Sequence, residues 1–147
     1  MLVGIGFDIH RHTQEEQLHL AGLKLDGVGF EAHSDGDILL HSLCDALLGA
    51  VAKKDLGHYF PSNNETPKDI SSVAMLDEVL EIIDYKKYVV NNVDIILISQ
   101  TINIEKLRFK LIESLAGLLK INISKINIKG KTTDNIGMIG SNEASAC

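Results

Sequence analysis

Apolar positions recur at two different spacings along this 147-residue chain, and the spacing separates strands from helices. Residues 2–10 are rich in strand formers around Gly4 and Gly6, and residues 18–25 (LHLAGLKL) alternate apolar with small or polar side chains, so both read as strands. From Asp37 the run DILLHSLCDALLGAVA has no breaker before Gly49 and carries apolar residues on most faces, which predicts a substantially buried helix capped by Asp37. Residues 53–68 (KKDLGHYFPSNNETPK) hold both prolines, a glycine and paired asparagines, and read as a long polar loop. Ser71 or Ser72 then caps a helix reaching about residue 85, with Val73, Leu76, Val79, Leu80 and Ile83 at helical spacing. Residues 89–99 read as a strand. Asn103 opens an amphipathic helix to about residue 120, with Leu107, Leu111, Leu115, Leu118 and Leu119 on its apolar stripe, and residues 125–131 (KINIKGK) alternate strictly. The order is ββαβ-like and then αβ, with no internal repeat or linker. It predicts one domain over residues 1–147 of the α/β or α+β sandwich class, a mixed β-sheet packed on helices.

Composition narrows this picture by exclusion. At 45% hydrophobic and 23% charged residues, with 12 glycines and 2 prolines, the chain is neither disordered, collagen-like nor of low complexity. The 20 acidic against 14 basic side chains give a net charge of −6, which disfavours nucleic acid as a partner. Arg11 and Arg108 are the only arginines, so a phosphate site here must draw on metal ions, lysines, hydroxyls and backbone N–H groups. Cys44 and Cys147 do not form a disulfide framework and fit a reducing compartment. The N-terminus lacks a secretory pattern and no apolar run approaches a membrane span, so the chain reads as cytoplasmic, or organellar after removal of a transit peptide.

Candidate chemistry lies mostly in the N-terminal half. Asp8 and His10 are two apart, which in a strand puts both on one face; they form either a shared ligand set or a satisfied surface pair. Asp37, His41 and Asp45 recur four apart on an otherwise apolar helix, either as a solvated face with its cap or as part of a site. On the second reading of each, His41 would complete three ligands with Asp8 and His10 and leave a fourth tetrahedral position open, the pattern of catalytic rather than structural zinc. Asp45, Asp37 or a backbone carbonyl is a candidate to orient His41. The segment His33-Ser34-Asp35-Gly36 can receive an anion at the helix N-terminus or be an ordinary turn. Asp55-Leu56-Gly57 and Phe60-Pro61-Ser62-Asn63-Asn64 offer carboxylate and amide groups suited to a sugar. Lys131-Thr132-Thr133-Asp134 offers hydroxyls and a hard oxygen suited to phosphate and Mg²⁺, or simply ends a strand. His12, His19 and His58 read as surface residues, and Gly4 and Gly6 lack the rest of a dinucleotide fingerprint.

Taken together, GIGFDIH at 4–10, AHSDGDILLHSLCDALLGA at 32–50, DLGHYFP at 55–61 and KTTDNIG at 131–137 resemble the 2-C-methyl-D-erythritol 2,4-cyclodiphosphate synthase family, cyclising enzymes of non-mevalonate isoprenoid biosynthesis. The likeness spans nearly the whole chain. It implies a homotrimer with active sites at subunit interfaces, converting 4-diphosphocytidyl-2-C-methyl-D-erythritol 2-phosphate to the cyclic diphosphate and CMP. It makes Asp8, His10 and His41 the ligands of one zinc per subunit, and puts Asp134, where the family has glutamate, on a Mg²⁺ or Mn²⁺ that arrives with substrate. His33 and Thr132 become transition-state stabilisers, and His33-Ser34 the phosphate loop. Asp8, Ile9 and His10 also face substrate, Asp55, Leu56 and Gly57 bind the erythritol, and Phe60, Pro61, Ser62, Asn63 and Asn64 form the loop over it. Residues 99–105 and Lys131, Thr132, Thr133 and Asp134 of a neighbouring subunit enclose the cytidine diphosphate, and Met138 is a further substrate-binding residue. The same resemblance implies an apolar cavity on the trimer axis, lined by Met138 and Ile139, whose mouth carries an arginine in many members and Ser141 here. Ser62-Asn63-Asn64 replaces an acidic loop, and residues 99–105 (SQTINIE) lack the usual proline and lysine. The chain stops at Cys147, about one strand before the family's usual end, so either it is truncated or the sheet lacks its last strand. A zinc phosphodiesterase and a non-catalytic, metal-stapled trimer binding cytidine nucleotides are the alternative functions.

Overall fold

Capping chemistry starts the helices where the sequence predicts. In the computed structural model, which describes residues 1–63 and 66–147, Asp37 is fully buried and its carboxylate accepts the Leu40 N–H at 3.0 Å. Its other oxygen accepts the Gly22 N–H at 2.6 Å, tying the helix start to a hairpin. Burial pushes the Asp37 carboxyl up, against the N–H groups of Gly22, Leu40 and Ala21, which favour its charge. Ser71 and Asn103 cap the next two long helices through Val73 N–H and Lys106 N–H.

The elements in order are β1 (Ile9–Leu20), β2 (Leu23–Phe30), α1 (Ile38–Ala50), α2 (Leu56–Tyr59), α3 (Ser72–Ile82), β3 (Val93–Ile98), α4 (Ile104–Leu119), β4 (Ile126–Lys131), α5 (Gly137–Gly140) and β5 (Ala144–Ala146). The strands form one mixed sheet in the order β2-β1-β5-β3-β4. Only β3 and β4 are parallel, joined through α4 as a parallel pair requires. In β3 and β4, Ile95, Leu97, Ile126 and Ile128 turn inward to a core shared with Leu111, Leu115 and Leu119 of α4, while Asp94, Ile96 and Asn127 are exposed. Helix α1, buried along most of its length, packs between β1 and α3.

Two predicted strands are corrected. Residues 18–25 are not one strand but the end of β1, a two-residue turn and the start of β2: Ala21 and Gly22 both have positive φ, the turn geometry that matches strand twist. Strand structure begins at Ile9 rather than in residues 2–8, because the Gly4–Gly6 segment lies against the backbone of α1. A Cβ added to Gly4 or Gly6 would sit 1.8 Å from the Ala46 or Ser42 carbonyl oxygen. The chain's last residues do make a strand: β5 is short but central, pairing with β1 on one side and with Ile98 of β3 on the other.

Candidate metal centre and its pocket

The close passage of the N-terminal segment over α1 brings Asp8, at the mouth of β1, to His41 near the start of that helix. Asp8 Oδ2 lies 2.9 Å from His10 Nε2 and 3.1 Å from His41 Nδ1, and the two ring nitrogens are 3.4 Å apart. One carboxylate oxygen and two imidazole nitrogens thus converge from three residues that are half-buried or buried. A tetrahedral ion with ligands at about 2.0–2.1 Å spaces its donors roughly 3.3 Å apart, so the three atoms already stand near the edges of such a polyhedron. Two imidazole nitrogens facing each other beside a carboxylate are poorly satisfied by protons alone, and the donor set suits a divalent transition metal, zinc among them. Burial opposes the charge on Asp8, but hydrogen bonds and charge interactions with His10 and His41 outweigh it and hold the carboxyl well below its usual range. His10 Nδ1 is buried without a partner, leaving Nε2 as the engaged nitrogen of that ring.

These residues lie in the wall of a cavity of about 290 Å³ that His33, Ser34, Leu56, Gly57, Phe60 and Ser62 also line. The structure therefore gathers the ligand triad, the His33-Ser34 turn and part of the 55–63 loop into one place. His33 Nε2 sits 2.9 Å from the Thr66 carbonyl, to which it donates. Asp55 caps α2 by accepting the His58 N–H at 2.9 Å, and Asp55, Ile9, Pro61 and Asn63 are outside the cavity lining. Asn64 lies outside the described residues.

The C-terminal candidates lie elsewhere. Because β3 and β4 are parallel, they end side by side, with Ile98 opposite Lys131 and the Ser99 N–H bonded to the Lys131 carbonyl at 2.9 Å. Residues 99–105 and 131–134 thus share one end of the sheet, where Gln100 donates to Asn135 at 3.2 Å and Thr132 Oγ1 approaches Asp134 at 3.5 Å. Lys131, Thr132, Thr133, Asp134 and Met138 do not line the metal cavity of this chain.

Three side-chain readings change. His41 is oriented neither by Asp45 nor by Asp37: its Nε2 meets Ser72 Oγ at 3.0 Å and Ser34 Oγ at 3.1 Å, while Asp45 accepts the Leu56 N–H at 2.7 Å and Asp37 caps α1. His12 is no free surface residue, since its ring reaches Ser145 Oγ at 2.8 Å and the Asn142 carbonyl at 3.0 Å. Nor is His19, whose Nδ1 lies 3.3 Å from Asp35. No local signal marks Ser72 as a neighbour of His41, because 31 residues separate them and contact requires α3 to dock on α1.

A mixed α/β domain with a two-histidine, one-carboxylate cluster in the wall of a cavity of mixed polar and apolar lining is a candidate metal-dependent enzyme. The chain matches the model of the YgbB family over residues 1–147 and belongs to that family. It is 41% identical over 150 residues to the 2-C-methyl-D-erythritol 2,4-cyclodiphosphate synthase of Francisella tularensis subsp. novicida, covering 98% of this chain and 92% of that protein. It is 41% identical over 145 residues to the bifunctional enzyme IspD/IspF of Pelagibacter ubique, where it spans 98% of itself but 39% of that longer protein. Among solved structures, IspF of Plasmodium falciparum in complex with CDP superposes with a TM-score of 0.86 at 37% identity, covering 99% of this chain and 90% of that one.

Proposed function

We propose that this chain, as a single domain over residues 1–147, converts 4-diphosphocytidyl-2-C-methyl-D-erythritol 2-phosphate into 2-C-methyl-D-erythritol 2,4-cyclodiphosphate and CMP. A 2-phosphate oxygen forms a bond to the β-phosphorus, and the bond from that phosphorus to the bridging oxygen breaks, CMP leaving with the oxygen. The observation that carries the reading is the convergence of Asp8, His10 and His41 beside His33 and Ser34 in one cavity. A zinc held by those three supplies Lewis acidity to a phosphoryl oxygen when bound. His33 and Ser34 hold the phosphates, Gly57 and the 60–64 loop the erythritol together with Asp55 and Leu56, and Ile9 flanks the ligand pair on its strand. Lys131, Thr132 and Thr133 take the nucleotide diphosphate, Asp134 a Mg²⁺ or Mn²⁺, and Met138 adds apolar contact. In a protein with two arginines, transfer of this kind rests on positioning and charge neutralisation by such groups.

The separation of the C-terminal candidates from this cavity supports a site completed by a neighbouring copy, in keeping with the homotrimer that the family resemblance implies. So does the exposed apolar N-terminal segment, where Leu2, Val3, Ile5 and Phe7 are 55%, 82%, 90% and 64% exposed. Among the described residues no helix is long and apolar enough to cross a membrane, and the proposed location is the cytoplasm. The test is ³¹P NMR of the purified protein with the diphosphocytidyl substrate, zinc and Mg²⁺. The expected result is cyclic diphosphate and CMP in equal amounts. A linear product that has gained water makes the protein a phosphodiesterase, and saturable nucleotide binding without CMP release makes it a non-catalytic binder.

A further inference from the structure

A histidine that ligates through Nδ1 must keep its proton on Nε2, and that proton needs an acceptor. His41 Nδ1 faces Asp8 and His10, so Nδ1 is the nitrogen on the ligand side. Its Nε2 faces two hydroxyls, Ser72 Oγ at 3.0 Å and Ser34 Oγ at 3.1 Å, and a hydroxyl by itself can donate or accept. Ser34 Oγ accepts the Gly36 N–H at 3.1 Å and still holds its own proton and a second lone pair, so it can play either part. Ser72 is not: its hydroxyl proton goes to Asp35 Oδ1, and an ionised carboxylate only accepts. Ser72 Oγ therefore has lone pairs alone to offer His41.

Asp35 is held to that task from three elements. It accepts the Ser72 N–H at 3.0 Å, where α3 begins, the Asp37 N–H at 3.3 Å from its own loop, and its Oδ2 lies 3.3 Å from His19 Nδ1 on β1. Burial opposes its charge, but the bonds from Ser72, His19 and Asp37 prevail and hold the carboxyl below its ordinary value. Ser72 is fully buried, and the side chains of His19 and Asp35 are 17% and 13% exposed, so water competes little for these bonds.

We propose that His19, Asp35 and Ser72 form a hydrogen-bonded relay that keeps the His41 proton on Nε2 and so positions Nδ1 as a metal ligand. None of the three touches the reacting atoms; they are positioning residues. The inference rests on Asp8, His10 and His41 being a metal site, and it identifies what sets the tautomer and aim of the third ligand. Outer partners of ligating histidines typically contribute about 10–100-fold in metal affinity.

The experiment is zinc titration of the full chain by competition with a chromophoric chelator, together with absorption and proton NMR spectra of the Co²⁺-loaded protein. Wild type binds one zinc per chain, and its Co²⁺ form shows a slowly exchanging, hyperfine-shifted imidazole N–H from His41. Ser72→Ala and Asp35→Asn weaken zinc about 10–100-fold and speed exchange of that proton. His19→Gln has a smaller effect in the same direction, and Ser72→Thr, which keeps the hydroxyl, restores affinity. The wild-type exchange measurement needs no variant, so it decides even where a substitution costs the fold, and rapid exchange there overturns the relay. Zinc held equally by wild type, Ser72→Ala and Asp35→Asn with unchanged Co²⁺ spectra overturns the relay while leaving the metal site standing. Failure of wild type to bind zinc overturns both.

Discussion

His33 has its Nε2–H committed to the Thr66 carbonyl at 2.9 Å, so a neutral ring presents a lone pair at Nδ1, and only the imidazolium adds a second donor. The role that the family resemblance gives His33, stabilising developing charge on phosphate, would therefore need the cation or a ring released from Thr66, because the neutral Nε2–H is already engaged. On the proposed function the interaction would grow in the transition state. His33→Ala and Thr132→Ala are expected to lower kcat by about 10²–10³ with little change in KM, and steady-state kinetics showing a raised KM at unchanged kcat would reduce both to binding groups. Asp35 gives a prediction about stability. Its carboxyl titrates lower in the fold than in the unfolded chain, so its contribution is present above the unfolded value near 3.8 and is lost as pH falls through the folded value. In the metal-free protein Asp35→Asn should cost about 1–3 kcal/mol near pH 7, and urea titrations should show that gap narrowing below about pH 4; a gap independent of pH would mean that the charge contributes nothing. In sequence the triad is a candidate because Asp8 and His10 fall two apart and His41 lies one turn after the Asp37 cap on an apolar helix, and the family resemblance is what joins the three. Ser72, Asp35 and His19 were not legible as a unit, since their link runs through space among three elements and a serine beside a helix start reads only as a cap.

At the scale of elements, the glycines at 4 and 6 explain themselves only once α1 is in place. They show no sign of a nucleotide loop; they let one backbone pass another, with the Ser42 and Ala46 carbonyls where Cβ atoms would be. Gly6→Ala should push the segment off α1, costing about 1–3 kcal/mol, and, because Asp8 is two residues on, should also weaken zinc binding. Urea unfolding and zinc titration of this variant read the two effects separately, and unchanged values in both would show that the crossing has slack. Helix starts were visible at Asp37, Ser71 and Asn103 because capping is a local rule, and the alternation of β4 was visible because one sheet face is covered and the other open. The first hairpin hides in the sequence because Ala21 and Gly22 are small residues that fit a strand pattern as well as a turn; the one local sign of the turn is that the leucines change phase across it, from Leu18 and Leu20 to Leu23 and Leu25. The central place of β5 could not be read either: three residues carry no period, and β5 finds its position through pairing with strands far away in sequence.

For the whole molecule, the cavity beside the Asp8–His10–His41 cluster and the end of the β3–β4 pair lie apart within one chain, the proposed function makes them two half-sites, and an exposed apolar N-terminal segment is poorly suited to water. Inactive His41→Ala and Thr132→Ala chains, refolded together, should therefore recover activity, since some interfaces in a mixed trimer pair an intact metal cavity with an intact C-terminal cluster. Demonstrably mixed trimers without activity would place the whole site in one chain. The resemblance that implies the trimer also implies an axial cavity with a cationic mouth for an isoprenoid diphosphate, and here the chemistry of that position differs. Ser141 is exposed, and its Oγ donates to the Glu143 carboxylate at 2.6 Å, so the position carries a hydroxyl already engaged by an anion. An arginine would supply a charge and a planar pair of donors, which serine lacks. In such a cavity burial of a prenyl tail against Met138 and Ile139 would still be favourable, but a diphosphate at its mouth would meet Glu143 without a compensating cation at residue 141. Geranyl diphosphate should accordingly bind weakly, and Ser141→Arg should tighten it about tenfold, part of the new charge being spent on Glu143. Calorimetric titration of both proteins as trimers measures this directly, and equally tight binding by the two would mean that another group neutralises the diphosphate.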